Sequence, residues 1–116
     1  MTTRVYVVNR SGHDFSAALR FGELVYCSDG EMDKWDSGQM YRQVSAALAD
    51  SEPNDYILLT SLTSLCSVTC AVFAVRHGRL NLLIYKDGDY VARTLQFDKE
   101  TQNANLTVRG ERYLAS

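Results

Sequence analysis

Two polar stretches hold the residues best suited to chemistry: Asn9-Arg10-Ser11-Gly12-His13-Asp14 and Thr60-Ser61-Leu62-Thr63-Ser64. Each follows a short apolar run and precedes residues that can start a helix. Hydroxyls beside the unbonded amides of a helix N-terminus present donors to an anion. Arg10 or His13 would supply the countercharge. The expected ligand chemistry is therefore a small anion-bearing molecule, with a nucleotide or cyclic oligonucleotide as the natural candidate. Its contacts would be Asn9, Arg10, Ser11, His13, Thr60, Ser61, Thr63 and Ser64. The plainer alternative is that Thr63 and Ser64 only cap a helix and that the first stretch is only a turn.

No catalytic signature accompanies these residues. Ser11, His13 and Asp14 are of the right types, but triads are defined by spatial geometry, and neighbours in a loop rarely face one another. Neither GxGxxG nor a Walker pattern occurs. The reading is of a non-enzymatic protein without a cofactor; were it an enzyme, His13 would be the acid or base of a slow phosphodiester cleavage. Cys66 and Cys70 share a helix face, yet no CxxC pair or suitably spaced His completes a tetrahedral metal site, so they read as small apolar residues. Asp29, Glu31 and Asp33 lack the calcium-loop pattern and read as a solvated loop. Trp35 suits either stacking on a base or packing onto the helix it precedes. His77, just before Gly78, suits a cation at a helix C-terminus.

The elements that position these residues follow from the hydrophobic pattern. Val5-Tyr6-Val7-Val8 is β-branched and aromatic, a strand from Arg4 to Asn9 that is apolar on both faces. One helical turn over Phe15–Leu19 with Asp14 or Ser16 as its cap, and a second strand over Gly22–Ser28, come next. Met40, Tyr41, Val44, Ala47 and Leu48 form one face of an amphipathic helix from Gly38 to Asp50, capped by Asp36 or Ser37. The stretch Asp55–Gly78 is the centre: a buried strand Tyr56–Leu59, a hydroxyl-rich turn, and a nearly all-apolar helix that ends at Arg76-His77-Gly78. Strands Arg79–Tyr85 and Tyr90–Leu95 flank Asp87-Gly88, a strong hairpin signal. Leu106-Thr107-Val108 suits a last short strand or a docked tail.

This order predicts one α/β domain over residues 1–116: a small two- or three-layer sandwich with a mostly parallel sheet and an antiparallel C-terminal hairpin. The layout resembles Rossmann-like domains that bind nucleotide second messengers, a resemblance of architecture alone. A formal charge of −2 offers no basic face for duplex nucleic acid. The low-charge run Tyr56–Val75 has the length of a membrane span, but its hydroxyls divide it into strand and helix, so no membrane partner is expected. Three unpaired-looking cysteines and a start without an apolar leader suggest a cytoplasmic setting. A helix apolar all round needs cover on more than one side, which predicts a homo-oligomer through that helix or through the edge hairpin. Two functional readings follow. One is a binding module for an anionic small molecule held between the two polar loops. The other is a structural or interaction protein that acts through homo-oligomeric assembly, of the kind a phage or other mobile element encodes.

Overall fold

The computed structural model describes residues 2–97. Among these the chain runs β1 Arg4–Val7, a 3-10 helix Ser16–Phe21, β2 Glu23–Tyr26, α1 Ser37–Ala47, β3 Tyr56–Leu58, α2 Thr63–His77, β4 Arg79–Lys86 and β5 Asp89–Gln96. The α/β class is as the sequence predicts, and each element lies within a few residues of its expected place. The expectation for Leu106–Val108 lies outside the described residues.

The described strands form one mixed sheet in the order β2-β1-β3-β4-β5. The first three pairings are parallel, and β5 returns antiparallel to β4. The reversal is local: Asp87 and Gly88 have φ of 51° and 83°, the left-handed pair a two-residue hairpin demands.

Burial on both faces explains the continuous apolar runs. Tyr6, Val8, Ile57 and Leu80 pack with Met40 and Val44 of α1, with Leu48 at its C-terminal cap, and with Leu65, Val72 and Phe73 of α2. Val5, Val7, Leu58 and Leu83 turn to the other face, where they cluster with Tyr90 of β5 and with Phe15 and Ala18. Among the described residues both α-helices thus lie on one side of the sheet, and the layer on the opposite side is the 3-10 helix and its flanks. Going from β1 to β2 the chain moves outward over the 3-10 face; going from β2 to β3 it moves back over the α face. Reversing both direction and face keeps one hand of crossover throughout, as parallel sheets require.

Local chemistry sets the ends of the elements. The Asp36 carboxylate accepts the Gln39 amide at 3.0 Å and caps α1, and Gly78, at φ 67°, closes α2. The turn expected at Phe15–Leu19 is a 3-10 helix displaced by one or two residues, with Asp14 Oδ1 accepting the Ser16 amide at 2.9 Å. Gly22 is required by close approach, because a β-carbon there would collide with the Thr3 carbonyl oxygen.

The amino ends of the strands are tied by buried polar groups. The Asp55 carboxylate accepts the backbone amides of Arg4 at 2.9 Å and Glu52 at 2.8 Å. The Asn81 carboxamide donates to the carbonyls of Pro53 and Asp55, each at 2.8 Å, and accepts from Thr94 Oγ1 at 2.9 Å. Four segments meet in this network, which anchors the end of the sheet opposite the polar loops.

Candidate functional site at the carboxyl ends of β1 and β3

β1 and β3 are parallel neighbours, yet the chain leaves them toward opposite faces, to the 3-10 helix and to α2. Loops that diverge from adjacent parallel strands open a crevice between them, where ligands of open α/β sheets bind. Here the crevice is a cleft of about 690 Å³. His13, Asp14 and Phe15 form one wall, Leu59, Thr60 and Ser61 the other, with Ile84, Tyr85 and Tyr90 from the hairpin completing the rim.

The walls combine aromatic surface with polar groups. Tyr85 and Tyr90 meet edge to face with ring centroids 5.6 Å apart, and His13 meets Phe15 in the same manner at 6.4 Å. Tyr90 and Phe15 are buried, whereas Tyr85 is 64% exposed and can turn a ring face toward an occupant. The Asp14 carboxyl is held below its usual pKa range by the Ser16 backbone and side-chain hydrogen bonds. This lip of the cleft is therefore anionic.

Beyond Ser61 lies a second hollow of about 370 Å³, lined by Met32, Lys34, Met40 and Ser61 through Leu65. It faces the start of α2. Thr63 and Ser64 do not cap that helix. The N-cap position falls on Leu62, whose side chain has no acceptor, and the Thr63 and Ser64 side chains are exposed within the first turn. The hollow is thus lined by the first residues of α2, three hydroxyl-bearing residues and Lys34.

The loop between the hollows is shaped by Cys66, one turn into α2. Its Sγ receives the Thr60 amide at 3.4 Å and donates to the Thr60 carbonyl at 3.3 Å. Thr69 stays on the buried face by donating to the Leu65 carbonyl at 2.7 Å.

The eight residues singled out in the sequence separate into two groups. His13, Thr60 and Ser61 line the cleft, and Ser61, Thr63 and Ser64 line the adjoining hollow. Asn9 and Arg10 line neither. Asn9 is buried, its Oδ1 2.7 Å from the Ser28 hydroxyl, which also lies 2.8 Å from the Val8 carbonyl. The Arg10 backbone pairs with Ser28 and Gly30, and its guanidinium stacks on Tyr26 at 4.7 Å from the ring centre. Ser11 is exposed in the loop. Phe15, Tyr85, Tyr90 and Lys34 were not singled out, because from the sequence alone they read as core, strand or loop residues. The pairing of Tyr85 and Tyr90 across an Asp-Gly turn was the one available signal.

Other chemistry-bearing residues have structural roles. Among the described residues no three His, Cys, Asp or Glu side chains gather as a metal site. Burial pushes the Cys27 thiol up to about 12, and burial, with the nearby Cys66 adding to it, pushes Cys70 up to about 11. His77 Nε2 lies 2.8 Å from Ser51 Oγ and its ring lies 4.5 Å from Phe73. Burial lowers its pKa, with Asp55 opposing and Arg76 assisting, so the site favours the neutral ring rather than a helix-end cation. Trp35 is 84% exposed beside the Lys34 ammonium, which sits 5.5 Å from its ring centre. No described helix is long and apolar enough to cross a membrane.

Compared with known proteins, the chain matches no curated sequence and no solved structure. Residues 3–102 match the family described as "Phage Pam3 gp32-like protein". This span takes in both loops, both hollows and every described strand, and the chain belongs to that family.

Proposed function

We propose that this protein is a small-molecule binding module whose site is the crevice between the His13–Phe15 and Leu59–Ser61 segments. The observation that carries the reading is the cleft itself, which lies at the carboxyl ends of the two central strands and is bounded by both polar loops. An anionic ligand with a planar ring, such as a nucleotide or cyclic oligonucleotide, fits the lining. Its ring would lie against Phe15, Tyr85 and Tyr90. Its phosphate would be directed away from the Asp14 carboxylate toward Ser61, Thr63, Ser64 and Lys34. His13 would contact the ring or sugar. No described hydrogen bond orients His13 for acid–base work, which favours binding over phosphodiester cleavage.

Thermal unfolding against nucleotides, cyclic dinucleotides and inorganic phosphate tests this reading. A ligand at a hundred times its dissociation constant adds about 2.7 kcal/mol, a shift of several degrees in a domain of this size. The expected result is a selective shift that the Ser61→Ala and Tyr85→Ala proteins lose. The absence of any shift at millimolar ligand overturns the reading.

A second reading, homo-oligomeric assembly, is favoured by one observation. Tyr41, Val68, Ala71, Val72 and Val75 line an apolar groove of about 460 Å³ between α1 and α2, and Val75 is 87% exposed. Among the described residues, the outer stripe of α2 therefore lacks the cover its composition asks for. Sedimentation of the native chain and of Val75→Asp decides the matter: an oligomer that the variant dissociates supports assembly, and a concentration-independent monomer rejects it.

A further inference from the structure

The outer edge of β5 is occupied by side chains of its own subunit. Its hairpin loop is Asp87-Gly88, so Lys86 and Asp89 form the hydrogen-bonded pair beside the turn, and alternate residues from Asp89 onward direct their backbone to β4. The Phe97 amide, bonded to the Gly78 carbonyl at 2.9 Å, keeps the same parity at the far end. Tyr90 and Ala92 consequently direct their N–H and C=O groups outward. On an eight-residue strand at the edge of the described sheet, such a row is a template for another strand.

At Tyr90 both outward groups are taken. The N–H donates to Asp89 Oδ1 at 2.7 Å, and the C=O accepts from Arg20 Nη2 at 3.1 Å. Arg20 Nη1 donates to the same Asp89 oxygen at 2.7 Å, which closes the clamp. At Ala92 the carbonyl accepts from Arg93 Nη1 at 2.8 Å. Arg20 and Asp89 are each about half exposed, and ion pairs in such positions contribute little to stability. Their distinctive effect is to occupy backbone groups that a neighbouring strand would need.

We propose that Arg20, Asp89 and Arg93 guard the hairpin end of β5 against strand addition by a second copy of this chain. The guard works by competition. An incoming strand would have to displace a carboxylate and two guanidinium groups before it could bond to Tyr90 or to the Ala92 carbonyl. This proposal is independent of any ligand in the crevice.

The test is the R20A/R93A double variant, compared with the native chain by sedimentation over a wide concentration range. The substitutions take the formal charge from −2 to −4, which raises self-repulsion, so a gain in association cannot come from net charge. The expected result is self-association at least about tenfold tighter than that of the native chain, with a new intermolecular β-sheet band in the infrared spectrum. A folded double variant that associates no more than the native chain overturns the proposal. Should the variant not fold, hydrogen exchange of the native chain decides. Slow exchange at the outward Tyr90 amide, matching the inward amides of β5, shows the clamp closed; exchange at the rate of an open edge amide overturns the proposal.

Discussion

Cys66 Sγ reaches back six residues to hold both backbone groups of Thr60, the amide at 3.4 Å and the carbonyl at 3.3 Å. A thiol at this position couples the first turn of α2 to the loop that separates the two hollows. Cys66→Ala leaves the Thr60 groups without that partner, and about 1 kcal/mol of stability should be lost. Its larger expected effect is on the loop, seen as faster amide exchange at Thr60 and Ser61 and weaker binding of any ligand that stabilises the native chain. Cys66→Ser, which keeps a donor and acceptor, should lie between the two.

Gly22 should tolerate no side chain. A β-carbon there meets the Thr3 carbonyl in the segment leading into β1, and the Glu23 amide, bonded to that same carbonyl at 3.0 Å, starts the β1–β2 pairing. Gly22→Ala is expected to cost about 1–3 kcal/mol, in the range of overpacked sites, measured by urea unfolding. A cost under about 0.5 kcal/mol, the range of neutral surface changes, would show that the two segments separate easily.

His77 gives stability a pH dependence of defined sign. Its folded pKa lies below the ordinary 6.5, so as pH falls through that value the unfolded chain takes up a proton the folded chain refuses. Stability is therefore complete above about pH 6.5 and declines as pH drops toward the folded pKa. Unfolding midpoints from about pH 7.5 down to about pH 5 should fall for the native chain. The same fall should be smaller in His77→Gln, and an equal fall in both proteins would assign the slope to other groups.

The thiols should differ in reactivity. Cys27 is buried with its pKa up to about 12, and Cys70 is half-buried with its pKa up to about 11. Thiolate is the reactive form, so both should resist iodoacetamide near neutral pH until the chain is unfolded. Mass spectrometry of the labelled native protein reads this directly; prompt modification of Cys27 would require a local opening of the β2 end.

Much of the fold was legible because it rests on local signals. Asp87-Gly88 specifies the hairpin through positive φ at two adjacent residues. The unbroken run Val5–Val8 announces burial on both faces. Hidden features depend on partners far along the chain. Asn9 looked like a loop donor, but Ser28 draws it inward across nineteen positions. Thr63 and Ser64 looked like caps, yet Leu62 holds the cap position. The adjacency of β1 and β3 follows from both being apolar on two faces, but that Phe15, Thr60 and Tyr85 surround one space depends on contacts far apart in the chain.

That same pairing has a kinetic consequence. Val5 lies opposite Tyr56, so the central ladder closes a loop of about fifty residues, whereas β4 and β5 close over two. Loop-closure entropy favours the short closure first. Folding is thus expected to begin in the second half of the chain and move inward. During synthesis from the amino end, the reverse holds: β1 emerges first and waits longest for its cover. Among the described strands, one paired on both sides is thus the one exposed longest before the sheet forms.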